Sequence, residues 1–177
     1  MLLAALLDLG VDQAVVESPL EALGLAGCYR ITKQEARSGG LRGIRIDVQS
    51  LEDQPPYRHW SGIRDQISEA ALAPALKHRV LAVFTRLAEA EARVHGTSPE
   101  AVHFHEVGAV DALVDVVGVC AAIEALNPAE IACSPLPAGS GTVSTAHGLL
   151  PVPVPAVLEL ARRHRIPLLQ GGGLPTG

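Results

Sequence analysis

HFHEVGAVDALVDVVGVCAAIEAL, residues 103–126, decides how this chain is read. It begins with alternation. In an extended segment His103 and His105 lie on one side, and Phe104 on the other can anchor in a core. Gly108 then leads into a helix that runs through Leu126 and ends at Asn127-Pro128. Asp111 and Asp115 stand four residues apart, so they project from one helix face, which Gly118 and Ala122 continue. The other faces carry Val110, Leu113, Val114, Val117 and Cys120, so the helix is expected to be buried nearly all round. Two carboxylates in such surroundings need a cation, because an uncompensated buried charge costs several kcal/mol or is neutralised.

Working outward, the flanking sequence alternates strands with helices. Met1–Leu9 is apolar from its first residue and reads as a helix, followed by a second over Asp12–Leu23 with Ser18-Pro19 as an expected break. Cys28–Arg37 and Leu41–Val48 read as a β-hairpin joined by Ser38-Gly39-Gly40. In its second strand Ile44, Ile46 and Val48 face one way, Arg45 and Asp47 the other. Ser50–His59, with Pro55-Pro56, reads as a loop, and Ser61 as the cap of a helix to about Ala71. Pro74–His95 is the clearest helix. Leu76, Val80, Val83, Phe84 and Leu87 form its apolar stripe, Glu89 precedes Arg93 by one turn, and Gly96 is a stop. Val102–Val107 is short and strand-like or irregular, and Ile131–Leu136 is a further strand. After the turn Gly139-Ser140-Gly141, the residues Pro151, Pro153 and Pro155 impose an extended approach to a helix over Ala156–His164. Ile166–Leu169 reads as a last strand. The expected class is α/β in the layered α+β sense: a mixed sheet with a β-hairpin, packed by several helices.

Composition excludes several functions. The 177 residues are 48% hydrophobic, enough to bury a core, but only two Phe, two Tyr and one Trp are present. That is too few rings for a base-stacking platform. Fourteen Lys and Arg against nineteen Asp and Glu give a net charge of −5. No basic run is long enough to track a phosphate backbone, so nucleic acid is not an expected partner. Nor is a membrane: the most apolar stretch, near Val110–Leu126, is interrupted by Asp111, Asp115 and Glu124, short of the roughly 20 apolar residues a span needs. The first residues lack the basic region and cleavage motif of a secretory signal. Cys28, Cys120 and Cys133 form no CxxC pair, which fits a reducing cytoplasm.

The charges are unevenly distributed. Eleven of the fourteen cations precede residue 94 and three follow residue 161. Between them lie Glu100, Glu106, Asp111, Asp115, Glu124, Glu130 and Glu159, with His95, His103, His105 and His147. His-x-His with nearby carboxylates is a reasonable ligand set for a first-row divalent metal, imidazole suiting Ni, Zn or Fe better than Mg or Ca. Purely structural roles are open too. Asp111 can serve the helix dipole, Asp115 can pair with Arg42 or Arg45, and His103 can be a satisfied core histidine. Gly139-Ser140-Gly141 can hold a phosphate on successive backbone N–H groups, or can be a plain hairpin turn. Cys120 and Cys133 read as core residues, and Gly171-Gly172-Gly173 lacks the context of a dinucleotide fingerprint.

The run from His103 through Asp111, continuing to Asp115, closely resembles the signature of the LarC family, nickel-insertion proteins of nickel-pincer nucleotide cofactor biosynthesis. Residues 3–10, Ser134-Pro135-Leu136-Pro137 with Gly139-Ser140-Gly141, and His147-Gly148 through Pro151, Pro153 and Pro155 match the same family in order. The resemblance implies cyclometallation, in which Ni(2+) is placed into a pyridinium bis-thiocarboxylate mononucleotide through one Ni–C and two Ni–S bonds. It implies CTP with Mg or Mn for a full-length member, and lactate racemase-type enzymes as acceptors of the product.

Family members are about twice this length. The expectation is therefore a single N-terminal domain over residues 1–177, truncated at both ends, without the C-terminal nucleotide-binding domain and not binding CTP alone. The resemblance allows a separately encoded C-terminal half as partner, and the chain is expected to be inactive as a CTP-dependent nickel cyclometallase of the lyase class without it. In this reading His103, His105, Glu106 and Asp111 hold the metal. Asp111, Asp115 and His147 serve catalysis as proton acceptors, and Gly139, Ser140 and Gly141 cradle the nucleotide. Rival readings are a non-catalytic nickel-binding assembly subunit and a generic divalent-metal hydrolase.

Overall fold

Apolar periodicity accounts for most of the architecture. The computed structural model describes residues 1–52, 58–104, 109–145 and 147–169. Helix α1 (Leu2–Asp8) buries Leu3, Ala4, Leu6 and Leu7. Helix α2 (Gln13–Ala22) is capped by Asp12, whose carboxylate accepts from the Ala14 N–H, the usual solution for an orphan first-turn donor. Pro19 lies inside α2 and does not break it. The expected interruption is absent because Val16 and Leu20, on either side of the proline, are fully buried. Burial of two such side chains, about 1.5–3 kcal/mol each, offsets a penalty of about 3 kcal/mol for interior proline.

The hairpin forms as its alternation predicts. Strands β1 (Tyr29–Ser38) and β2 (Leu41–Ser50) pair antiparallel with Ser38 opposite Leu41. Gly39 and Gly40 both have positive φ, 55° and 82°, the backbone that a two-residue hairpin turn requires. Ile44, Ile46 and Val48 are half-buried between exposed Arg45 and Asp47, and β2 lies against α1.

Where a loop is expected, Arg58–His59 instead forms the short strand β3, and helix α3 (Trp60–Glu69) follows at once. The helix starts at buried Trp60 rather than being capped by Ser61, because Trp60, Ile63 and Ile67 share its core face. Helix α4 runs Pro74–His95, with Pro74 in its first turn and Gly96 left-handed at φ 65° just past its end. Those are the places where proline and glycine suit helix geometry best. Leu76, Val80 and Phe84 are buried along it. Glu89 pairs not with Arg93 on its own helix but with Arg163, 2.8 Å away.

After a 3₁₀ turn (Pro99–Ala101), strand β4 (His103–Phe104) pairs antiparallel with β3. Helix α5 (Val110–Leu126) packs on α1, α2 and α4 and ends with Asn127 in the left-handed region. Gly118 permits this packing. A Cβ there would lie 2.7 Å from Val16 Cγ1 and 3.3 Å from Leu3 Cδ1. Strand β5 is only Leu136–Pro137, parallel to β8 (Leu168–Leu169). The expected strand from Ile131 is not formed before Leu136. Ile131 is 69% exposed and Cys133 is exposed as well, so among the described residues no layer covers the apolar side chains there. β6 (Thr142–Thr145) and β7 (Gly148–Pro151) form a second hairpin, which leads to α6 (Pro155–His164) against α4.

The α/β class is as the sequence implies, and among the described residues the strands pair two at a time. One core joins α1 to α5, and no polar or charged residue among the described ones is buried. No helix is long and apolar enough to cross a membrane, again among the described residues.

Candidate functional site

Period-two geometry at β4 sets the first wall of the site. Phe104 is buried, with its ring 6.5 Å from that of Phe84 on α4. Its neighbour His103 therefore turns outward. Across the ladder His103 faces His59, and their ring centroids are 4.0 Å apart at a 57° tilt. The ladder continues as a hydrogen bond from the Trp60 N–H to the Val102 carbonyl, 3.2 Å.

The last turn of α4 makes the second wall. Glu91 and His95 are one turn apart, and His95 Nε2 lies 3.5 Å from Glu91 Oε2. The third wall is the β6–β7 hairpin, whose turn carries His147. There the Thr145 hydroxyl accepts from the His147 N–H (3.1 Å) and donates to the Gly148 carbonyl (3.0 Å). This brings the His147 ring to 4.8 Å from that of His95, tilted 50°. Val154, Pro155 and Ala156, at the start of α6, complete a cavity of about 220 Å³ lined by Glu91, His95, His103, Phe104, Thr145 and His147. That is below the roughly 300–1,000 Å³ of pockets that enclose a whole drug-sized ligand. It suits an ion with its waters, or one end of a larger molecule.

Two imidazole centroids that share one metal ion through bonds of about 2.1 Å stand roughly 4.6–5.3 Å apart at bond angles of about 90–109°. The His95–His147 pair has that spacing. Among the described residues, no three His, Cys, Asp or Glu side chains are grouped to hold an ion. The donors come in pairs.

The structure thus unites His103 and His147, with His95, in one cavity. Sequence reasoning missed Glu91 as a site residue, although its place one turn before His95 was a usable signal. It missed His59 altogether, because a two-residue ladder leaves no periodic trace. His105 and Glu106 lie outside the described residues.

Asp111 and Asp115 are placed differently from the expectation. Both are exposed on the first turns of α5, and neither lines the cavity. The expected burial of this helix nearly all round holds only between Gly118 and Glu124, where α1 and α2 cover the stripe; Ala125 and Leu126 are exposed again. Before Gly118 the acids face out, and water rather than a cation compensates their exposed carboxylates. Of the two proposed arginine partners, Arg42 is engaged elsewhere, pairing with Asp8 at 2.9 Å and with Glu35 at 3.5 Å. Partial desolvation, with a smaller push from Asp111, still raises the Asp115 carboxyl above the usual range, against the opposing Met1 amine. The Asp111 carboxylate accepts from the Ala112 N–H.

Gly139-Ser140-Gly141 connects β5 to β6, with φ of 74° and 95° at its glycines, and the Gly141 carbonyl accepts from the Val152 N–H. It is not a hairpin turn; the turn of that hairpin is the one bearing His147. Cys120 is a core residue as expected, its thiol pushed up to about 11 chiefly by burial. Cys133 is exposed, contrary to the expectation of a core strand.

Fold and site together define an α/β chain built around a small cavity of paired imidazoles and a carboxylate. The nickel insertion protein family model matches residues 1–176, and the chain belongs to that family. A Thermomicrobium roseum protein named for nickel insertion is 49% identical over 170 residues, 96% of this chain and 41% of its own length. A Synechococcus sp. protein of similar name is 46% identical over 172 residues, 97% of this chain and 43% of its own length. The pyridinium-3,5-bisthiocarboxylic acid mononucleotide nickel insertion protein of Desulfitobacterium hafniense is 46% identical over 160 residues, 90% of this chain and 39% of its own length. The chain spans less than half the length of these curated relatives. No solved structure matches it.

Proposed function

We propose that this chain is the N-terminal, metal-handling part of a protein that inserts nickel into pyridinium-3,5-bisthiocarboxylic acid mononucleotide, the reaction for which its Desulfitobacterium hafniense relative is named. The convergence of His95, His103, His147 and Glu91 on one small cavity supports this reading most directly. Imidazole suits Ni(II), whereas an all-oxygen set would favour harder ions. Nickel is cargo here, so a seat of paired imidazoles completed by water is appropriate. A closed four-ligand site would retain the ion.

Forming a Ni–C bond from a C–H bond releases one proton, and a base beside the metal assists the step. His147 is the acceptor in this proposal, because it lines the cavity while Asp111 and Asp115 stand on the open face of α5. As a ligand nitrogen of His147 takes the proton, its bond to nickel breaks and the metal passes to the carbon. The remaining metal donors proposed are His95 and His103, which line the cavity, with His105 and Glu106 next along the chain. The Gly139-Ser140-Gly141 turn is proposed to receive the nucleotide's phosphate. Any CTP and magnesium or manganese requirement is assigned to the part of the protein that lies beyond the matched region in the relatives.

Nickel titration of the chain and of His103→Ala tests the proposal. Weaker binding in the variant supports it, and equal affinity removes the assignment of His103. Because the chain spans less than half of its relatives, a second reading is a nickel-binding assembly unit without chemistry of its own. Nickel uptake with no metallated nucleotide until the remaining half is added favours that reading.

A further inference from the structure

We propose that His59 is a further nickel-binding residue, which with His103 forms a two-imidazole seat beside the cavity. The inference rests on the nickel reading above and extends it to a residue that reading does not use.

The β3–β4 ladder is only two residues long, yet it sets two histidines directly opposite each other. Opposed residues on antiparallel strands project from the same face, with Cβ atoms about 4.5–5.5 Å apart. The ladder's other pair, Arg58 and Phe104, fixes the register: Phe104 is held in the core, and Arg58 is held by an ion pair to Glu52. Their neighbours His59 and His103 are consequently both turned out and exposed. His59 occupies the N-cap position of α3 but makes no side-chain capping hydrogen bond, so its imidazole is not used to stabilise the helix.

The rings stand 4.0 Å apart, tilted by 57°. Spreading to the roughly 4.6–5.3 Å that a shared ion requires takes a side-chain rotation, and both residues are exposed enough to make it. His103 belongs both to this pair and to the cavity wall that faces His95 and His147. An ion seated between His59 and His103 is therefore one ligand exchange from the cavity. Two imidazoles leave the rest of the coordination shell to water, which keeps the ion exchangeable.

The test is nickel titration of the chain, of His59→Ala and of His59→Gln, each confirmed folded by circular dichroism. X-ray absorption of the nickel-loaded proteins then counts the imidazole scatterers. The expected result is that the dissociation constant rises by about tenfold or more, since losing even an outer partner of a metal ligand has that effect, and that the count falls by one imidazole. Wild-type affinity and an unchanged count in both variants would overturn the role of His59 while leaving the nickel reading intact. Should the unmodified chain take up no nickel, the functional proposal fails and this seat fails with it. If His59→Ala does not fold, the glutamine variant decides.

Discussion

The imidazoles of His95, at the end of α4, and His147, in the turn of the β6–β7 hairpin, face each other with ring centroids 4.8 Å apart. Different elements hold them: an α-helix closed by Gly96, and a hairpin turn pinned by the Thr145 hydroxyl. A pair built this way acts as a unit. His95→Ala and His147→Ala are each expected to raise the nickel dissociation constant by about tenfold or more, and the double variant by little beyond either. Such non-additivity is the mark of residues that share one function. Calorimetric titration of the three variants checks this; strictly additive losses would mean that the rings act separately.

Phe104 links the core to the cavity. It is buried with its ring near that of Phe84, and its anchoring is what turns His103 outward. Phe104→Ala is expected to cost about 3–5 kcal/mol of stability and to weaken nickel binding at temperatures where the chain remains folded. Denaturant unfolding followed by titration measures both effects.

Gly118→Ala is expected to lower the melting temperature, although alanine is intrinsically the better helix former. The new Cβ would stand 2.7 Å from Val16 Cγ1, and valine is too stiff at χ1 to move aside. Overpacking of this kind costs about 1–3 kcal/mol, against the roughly 1 kcal/mol that replacing helical glycine returns. Val16→Ala in the same chain removes the clash, so the double variant should lose less than the sum of the singles.

Asp115 provides a pH test. Its carboxyl is raised by desolvation and, less strongly, by Asp111, which together outweigh the opposing Met1 amine, so the native state binds this proton more tightly than the unfolded chain does. The charged form therefore lowers stability at neutral pH, and that loss is relieved as the pH falls through the raised value. Asp115→Asn should stabilise the protein at pH 7 by about 0.2–0.5 kcal/mol, the scale of a like-charge pair one helical turn apart. The gain should shrink toward zero in acid. Thermal unfolding at several pH values reads it.

The cysteines should separate by reactivity. Cys133 is exposed and Cys120 is buried with its thiol raised to about 11. A thiol reagent at neutral pH is expected to label Cys133 at once, and Cys120 only after denaturation.

Long elements with their own punctuation were legible in the sequence. α4 carries proline at its start, glycine at its end and an apolar stripe between, and it spans Pro74–His95 as read. The β1–β2 hairpin follows its alternation and its two glycines. Pairing between distant short segments was not legible, because nothing local in Arg58–His59 specifies Phe104 as a partner. The exposure of Asp111 and Asp115 was missed for a related reason. A helix apolar on most faces reads as enclosed, but which of its turns are covered depends on where α1 and α2 lie across it. The region after α5 was misread in the opposite sense, since Ile131 and Cys133 are apolar but exposed. For the site, His103 and His147 were legible as chemistry-bearing residues, whereas their meeting with His95 and Glu91 required the fold.

Anomalous diffraction from nickel-soaked crystals tests the central claim most directly. The account predicts a nickel peak inside the cavity, within bonding distance of imidazole nitrogens from His95, His103 or His147. A cavity without nickel, in crystals where the ion is bound at other surface groups such as Cys133 or His164, would contradict it.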